Sequence, residues 1–469
     1  MPFRIFKSIF IYLMAFGDLV LIIGGFFAAF KFRFSGQVPG VNWEPFIQIT
    51  PWVCLATLIL FSGLGLYPLR QHEFTALIRR VITGILAIFI STIAITFWVR
   101  GFAFPRSVFV LAMPIQVLLV CAWRYFCWHL QRWLYGRKKV LVVGSPAEVM
   151  KFLGKPFDLP RGWFEVRDLL APEDLGRLPS LLPSMDAVLI APSLSRTYKA
   201  DVLSACLKAR REVYLIPDLY DIMLSHGSLQ QLNDLPVVEI QELCLSWPQK
   251  ITKRTFDLAV SGAGLVLGSL LFLGCALAVT FTSPGPVFYT QERVGYRGRP
   301  FLLYKFRTMV RDAEKITGPI LAKENDPRIT PVGRILRASR LDELPQLINV
   351  LKGNMSIVGP RPERPYFINQ FIKETSNYHY RHLVKPGLTG LAQVYSKYST
   401  SAVDKLRYDL YYIRNYSLWL DLKIILQTIP LVLGGEGSQG EKEQTDPEKQ
   451  EAIHTLVNSI NQTASGKEG

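Results

Sequence analysis

Four stretches of almost unbroken apolar residues fill the first quarter of the chain, over 9–30, 46–66, 81–98 and 108–126. Each is close to the roughly 20 residues that a helix needs to cross a bilayer. Hydrocarbon offers backbone amides no partner, so runs of this length commit the chain to a helical bundle in a membrane. The flanking cations are lopsided. With both ends of the bundle on one side, Arg4, Lys7, Arg70, Arg79, Arg80, Arg124, Arg132, Arg137, Lys138 and Lys139 fall there, against Lys31, Arg33, Arg100 and Arg106 opposite. The richer side faces the cytoplasm, so both termini of the bundle are expected inside. The first run is long, follows Arg4 and Lys7 and lacks a small-residue cleavage site, which reads as an anchor rather than a removed leader. Asp18 lies mid-run, where an unpaired charge costs at least about 3 kcal/mol. It is expected to face the bundle with a partner or to be protonated; a functional role is the alternative.

After Lys138 the pattern becomes βα alternation. Buried strands are expected over 139–144, 187–192 and 212–217, with helix-like sequence such as 200–211 between them, which implies a small parallel sheet of Rossmann type. Gly144-Ser145-Pro146-Ala147-Glu148 falls where a dinucleotide fingerprint would sit, but the further glycines are missing. Nucleotide binding and a structural or regulatory role both stay open for this domain. Residues 236–248 read as a linker. Next comes 258–281, 24 residues without a charge, about 36 Å as a continuous helix. As one span it would move the rest of the chain outside; two bent halves would return it to the face it left.

Cys54, Cys121, Cys127, Cys206, Cys244 and Cys275 have no spacing that suits zinc or a disulfide framework, in keeping with a reducing face. Formal charge is +16, and 251–433 holds 25 Lys and Arg against 13 Asp and Glu, a surplus of 12. That points to anionic substrates, an anionic lipid surface or nucleic acid. The cations interleave with apolar and turn residues and form no arm or reader motif, so nucleic acid is set aside.

Within this basic region Asp342 and Glu343 stand side by side, behind Arg334, Arg337 and Arg340, at the head of a helix with Leu344, Leu347, Ile348 and Leu351 on one face. Pro345 fits the first turn. A helix start ringed by guanidinium groups favours anions. A carboxylate there is either a cap, worth about 1 kcal/mol, or a nucleophile kept ionised beside a phosphate. Upstream stands Tyr304-Lys305-Phe306-Arg307-Thr308-Met309. Downstream stand Gly359-Pro360-Arg361-Pro362 and Lys385-Pro386-Gly387-Leu388-Thr389-Gly390.

This set, in this order over 253–433, resembles the bacterial sugar transferase family, the polyprenyl-phosphate phosphoglycosyl transferases; the whole chain resembles its long members. The resemblance implies a membrane α plus α/β architecture: a four-helix transmembrane bundle (1–135), a small Rossmann-like parallel-sheet middle domain (136–248), a re-entrant membrane helix leading into a mainly helical, membrane-associated catalytic domain (249–433), and a disordered tail (434–469). The family breaks its membrane helix at Ser-Pro. Here Ser269 is followed by Leu270, so the break is expected near Gly268 and Ser269, with the Ser269 hydroxyl bonding back to bend the helix. Lys253 and Arg254 are expected to anchor it at the inner leaflet.

The resemblance further implies transfer of a sugar 1-phosphate from a UDP-sugar to undecaprenyl phosphate, with release of UMP, as the first step of exopolysaccharide, capsule or O-antigen assembly at the bacterial inner membrane. Asp342 is the implied nucleophile and Glu343 the ligand of Mg²⁺, which binds through one or two carboxylates plus substrate oxygens. Lys305, Arg307, Arg334, Arg337, Arg340 and Arg361, with Pro360 and Pro362 framing the last, are candidates for the phosphates; each is otherwise a surface or headgroup cation. Asp409 is a metal or orienting group, or part of an internal salt bridge. Long members imply a homodimer. Two rival readings remain: a membrane-anchored nucleotide-sugar dehydratase, which needs a dinucleotide fingerprint and a Tyr-x-x-x-Lys couple, and a non-catalytic scaffold, for which Asp342 and Glu343 would be dispensable.

Overall fold

The computed structural model describes residues 2–67, 74–99, 104–145, 148, 164–225, 227–240, 242–310, 326–396 and 400–434. Arg70, Arg100, Pro146, Ala147 and the tail from residue 435 lie outside the described residues. The chain divides into two compact units, the first reaching Asp218 and the second starting at Leu219.

The first unit opens with helices α1 (Pro2–Arg33), α2 (Gly40–Gly63), α3 (Phe74–Trp98) and α4 (Arg106–Tyr135). All four are long and apolar enough to cross a membrane. Helix α1 packs on α4, and α3 packs on both α2 and α4. Asp18 has a partner: its carboxylate pairs with Arg124 in the bundle interior, both side chains being almost fully buried. The same guanidinium donates to the Leu66 carbonyl at 2.9 Å. Arg124 is therefore an internal counter-ion and not a flanking cation. In a bilayer core a charge persists where a second charge and a carbonyl replace water.

A parallel sheet follows in the order β2 (Phe164–Leu170), β1 (Lys138–Val143), β3 (Ala187–Ile190), β4 (Glu212–Leu215). Helix α5 (Arg196–Lys208) crosses from β3 to β4, its Ser195 hydroxyl accepting from the Tyr198 amide at the helix start. Successive residues of β1 feed opposite faces. Leu141 and Val143 join Val188, Ile190, Val202 and Cys206, whereas Val140 and Val142 join Val166, Ala187 and Leu189. Burial on both faces is what a parallel sheet requires, and it explains the continuous apolar run.

The second unit opens with a short helical stretch, Leu219–Leu224, and continues into a hairpin, β5 (Ser228–Leu232) and β6 (Leu235–Glu239), joined through Asn233 at φ 52°. The expected linker is thus partly strand, because an Asn that accepts positive φ closes a two-residue turn. Helix α6 (Trp247–Leu267) then leads into α7 (Ser269–Thr282), bent by 63° from it at Gly268. The Ser269 hydroxyl has no hydrogen-bond partner among the described residues, contrary to expectation, and the bend rests on the glycine: a Cβ there would meet the Gly264 carbonyl oxygen at 2.6 Å. Leu270 is exposed in the first turn of α7, a position that would accept proline. Val266, Leu267, Leu270 and Phe281 present apolar surface on both halves.

The base of α6 is tied to protein. Lys253 is buried, 2.8 Å from Asp421 and 2.9 Å from the Tyr412 hydroxyl, and Arg254 donates to the carbonyls of Val350 and Leu351. Lys253 is therefore an internal partner and not the headgroup anchor expected of it, while Arg254, half-buried, spends both terminal nitrogens on carbonyls. Asp257 accepts from the Ser356 hydroxyl and the Ile357 amide at 2.9 and 3.0 Å. Beyond the membrane-like pair come the hairpin β7 (Phe288–Val294) and β8 (Pro300–Phe306), helix α8 (Pro331–Ala338), a 3₁₀ turn at Leu341–Glu343, α9 (Gln346–Leu351), β9 (Ser356–Val358), α10 (Pro365–Glu374), β10 (Gly387–Thr389), α11 (Ala402–Arg414) and α12 (Leu418–Leu433). Their core is built on Val350, Met355, Val358, Leu410, Tyr412 and Ile424.

Candidate active site

The Asp-Glu pair sits on the 3₁₀ turn Leu341–Glu343, one step before α9, and not inside a longer helix. Arg340 precedes it in the left-handed region at φ 59°, a conformation that costs a non-glycine residue roughly 1 kcal/mol. Helix α9 is fixed against β8 by Asn349. That side chain, fully buried, accepts from the Tyr304 amide at 3.0 Å and donates to the Leu302 carbonyl at 2.7 Å. The clamp brings Lys305, the next residue of β8, over Glu343.

Three cations converge on one carboxylate oxygen. Lys305 Nζ lies 2.8 Å, Arg361 Nη2 3.2 Å and Arg340 Nη1 3.8 Å from Glu343 Oε1. Burial opposes ionisation of Glu343, but Lys305, Arg361 and Arg340 outweigh it and hold the carboxyl well below the usual range. Asp342 is different. It is buried and accepts no hydrogen bond from any described residue, nor does any side chain cap this turn or α9. Burial pushes its carboxyl up and the adjacent Glu343 charge adds to this, while Lys305, Arg337 and Arg340 pull it back. The two carboxylates therefore have separate characters: one neutralised by contact, the other desolvated, uncommitted and set in a positive field. A cap would spend its oxygen on an amide; Asp342 does not.

Of the other expected phosphate ligands, Arg337 donates from Nε to the Thr308 hydroxyl at 2.8 Å, and its charge acts on Asp342. Arg334 points out to solvent without a partner among the described residues. Arg307 does not join the group. Its guanidinium is buried against Gly285, which has φ 127°, and donates to the Ser283 carbonyl; a Cβ at Gly285 would stand 2.2 Å from Nη1. It fastens the turn that leaves α7. Asp409 pairs with Arg381 at 2.9 Å, the salt-bridge alternative of its reading. Among the described residues no three His, Cys, Asp or Glu side chains gather as a metal cage. Two adjacent carboxylates, with the cations of Glu343 all on Oε1, nonetheless suit an oxygen-loving divalent ion that takes the rest of its ligands from substrate and water. Asn349, Asp257, Arg293 and Arg381, which hold these elements in place, carry no sequence signal of their own.

Residues 248–435 match the model of the family described as bacterial sugar transferase. The chain is 32% identical over 390 residues, covering 81% of itself and 86% of the relative, to a UDP-N-acetylgalactosamine-undecaprenyl-phosphate N-acetylgalactosaminephosphotransferase of Aeromonas hydrophila. It is 29% identical over 401 residues, 78% of this chain and 82% of the other, to the undecaprenyl-phosphate galactose phosphotransferase of Salmonella typhimurium. A UDP-glucose:undecaprenyl-phosphate glucose-1-phosphate transferase of Escherichia coli is 42% identical over 223 residues, about half of each chain at 46% and 48%.

Proposed function

The chain belongs to the bacterial sugar transferase family, and from that premise we propose that it is the enzyme that moves a sugar 1-phosphate from a UDP-sugar to undecaprenyl phosphate, opening the assembly of an envelope polysaccharide. The observation that carries this is the buried Asp342, without a hydrogen-bond partner among the described residues, beside a Glu343 already charge-compensated by Lys305 and Arg361. In the first step an Asp342 oxygen attacks the sugar-linked phosphorus; the new O–P bond forms as the bond to UMP breaks, and UMP leaves with the electron pair. In the second, an oxygen of undecaprenyl phosphate attacks the same phosphorus and returns Asp342 to a carboxylate. Lys305, Arg340 and Arg361 keep Glu343 ionised and hold positive charge where phosphate oxygens arrive, and Arg337 adds to that field. Mg²⁺ held by Glu343, with Asp342 beside it, would supply charge neutralisation of the diphosphate.

The bent pair α6–α7 we read as a re-entrant membrane helix. A 63° break, apolar surface on both halves and a base bonded into the second unit support it. Four full spans before it keep the sheet and the Asp-Glu turn on the cytoplasmic face of the inner membrane, where nucleotide sugars are made. The division into a bundle (1–135), a Rossmann-like middle domain (136–248) and a catalytic region (249–433) is part of this reading; the end of α4 at Tyr135 and the start of α6 at Trp247 support its outer limits, while residues from Leu219 pack with the second unit. A homodimer is the expected assembly.

The test is a panel of UDP-sugars, including the glucose, galactose and N-acetylgalactosamine donors for which the relatives are named, assayed for UMP release with and without undecaprenyl phosphate. Without acceptor, the wild type should release at most one UMP per site and gain the phospho-sugar mass on the peptide holding Asp342. Asp342→Asn should fold, lose at least about 10³-fold in turnover and gain no adduct. An adduct elsewhere, or sustained turnover of this variant, returns Asp342 to a structural role.

A further inference from the structure

The segment that carries Arg361 is held in an unusual way. Pro360 and Pro362 have no N–H, so Pro360-Arg361-Pro362 can be fastened mainly through its carbonyl groups. Every carbonyl from residue 360 to residue 363 is taken, each by a different donor. Pro360 accepts from the Gly387 amide at 2.9 Å and Glu363 from the Val294 amide at 3.1 Å. Between them, the Arg361 carbonyl accepts from Arg381 Nη2 at 2.9 Å and the Pro362 carbonyl from Arg293 Nη1 at 3.1 Å. Two guanidinium groups thus grip the two consecutive peptide carbonyls that follow the Cα from which the Arg361 side chain reaches Glu343.

Both grips are themselves braced. Arg381 is 4% exposed and has its other donors engaged: Nε with Asp409 at 3.0 Å, Nη1 with the Tyr378 hydroxyl at 2.6 Å. Arg293 gives Nη2 to Gln291 Oε1 at 2.6 Å and stands 3.7 Å from Glu363. Neither makes a hydrogen bond or salt bridge to Asp342 or Glu343.

We infer that Arg293 and Arg381, the latter with Asp409 behind it, are positioning residues for the transfer reaction, acting through the backbone of Arg361 to set its guanidinium against Glu343. The inference rests on the role given above to Arg361. Proline fixes φ on both sides, so releasing either carbonyl turns the segment as a piece and carries the Arg361 side chain with it. A misplacement of about 1 Å at such a contact is enough to cost up to 100-fold in rate.

A double-mutant cycle on UMP release tests this, with enzyme raised until the slowest variant is measurable. Arg293→Met, which keeps volume and removes the donor, should slow turnover about tenfold in the wild-type background and less than about twofold in Arg361→Ala, because its effect passes through a side chain already gone. Arg293→Lys should recover most of the loss. Arg381→Met made together with Asp409→Asn, so that no buried charge is left alone, should show the same coupling and guards against misfolding of one variant. Equal losses in both backgrounds would overturn the clamp while leaving the role of Arg361 intact. Wild-type turnover in Arg361→Ala itself would sink the reading of the site and the clamp with it.

Discussion

Lys305 is the side chain whose removal reports most directly on how the two carboxylates are tuned. It stands 2.8 Å from Glu343 with only 20% of its side chain exposed, and it is the strongest influence drawing the Asp342 carboxyl down against burial. A charge-assisted hydrogen bond contributes about 1.5–3 kcal/mol. At about 1.36 kcal/mol per pKa unit that is one to two units. Arg361 and Arg340 remain on Glu343 at 3.2 and 3.8 Å, so the lower end applies. The sign is set by charge: a cation favours the ionised form of both carboxyls, so its loss raises both. In the proposed mechanism Asp342 acts ionised, and Lys305 acts on it by charge without a hydrogen bond, so the acid limb of kcat/KM in Lys305→Met should move to higher pH by less than the roughly one unit worked for Glu343. Profiles of UMP release between about pH 5 and pH 9 would show this. Lys305→Arg, which keeps the cation, should leave the limb near its wild-type position. An unmoved limb in a folded Lys305→Met enzyme would refute the assignment of Lys305 as the tuning charge.

Glu343→Gln should weaken Mn²⁺ binding, followed by electron paramagnetic resonance on the detergent-purified protein, by about tenfold or more; unchanged binding would place the ion elsewhere. For the membrane path, Lys250→Cys and Pro286→Cys, in a background lacking the six native cysteines, should both react with an impermeant maleimide only from the cytoplasmic side. Reaction from opposite faces would make α6–α7 a spanning element.

What could be read in advance, and what could not, divides by the range of the forces involved. The four spans and the strands β1, β3 and β4 are local matters of apolar length. Strand β2 escaped because it lies at the sheet edge, where Glu165, Arg167 and Asp168 interrupt the apolar pattern. Arg124 was counted among flanking charges because a charge tally has no access to Asp18, 106 residues earlier. Lys305, Arg340 and Arg361 do meet Glu343, whereas Arg307 has the same composition and motif yet spends itself on a turn. Nothing in the residue type separates them; only the partner does. Asn349 is the clearest case of what stays hidden, since its two bonds go to backbone atoms of β8, 45 and 47 residues upstream.

Helix α6 is also a ruler. Asp257 and Arg254 grip the segment that follows the reactive turn, and the bend stands 11 residues beyond Asp257, at Gly268, which is about 16 Å of helix. If the apolar end sinks to a fixed depth, the height of Asp342 above the lipid is fixed with it, at whatever level a prenyl-linked phosphate floats. On the reading proposed above, the acceptor need not be lifted from the bilayer to be reached: the protein would meet a substrate confined to a plane by holding its own carboxyl at the altitude of that plane.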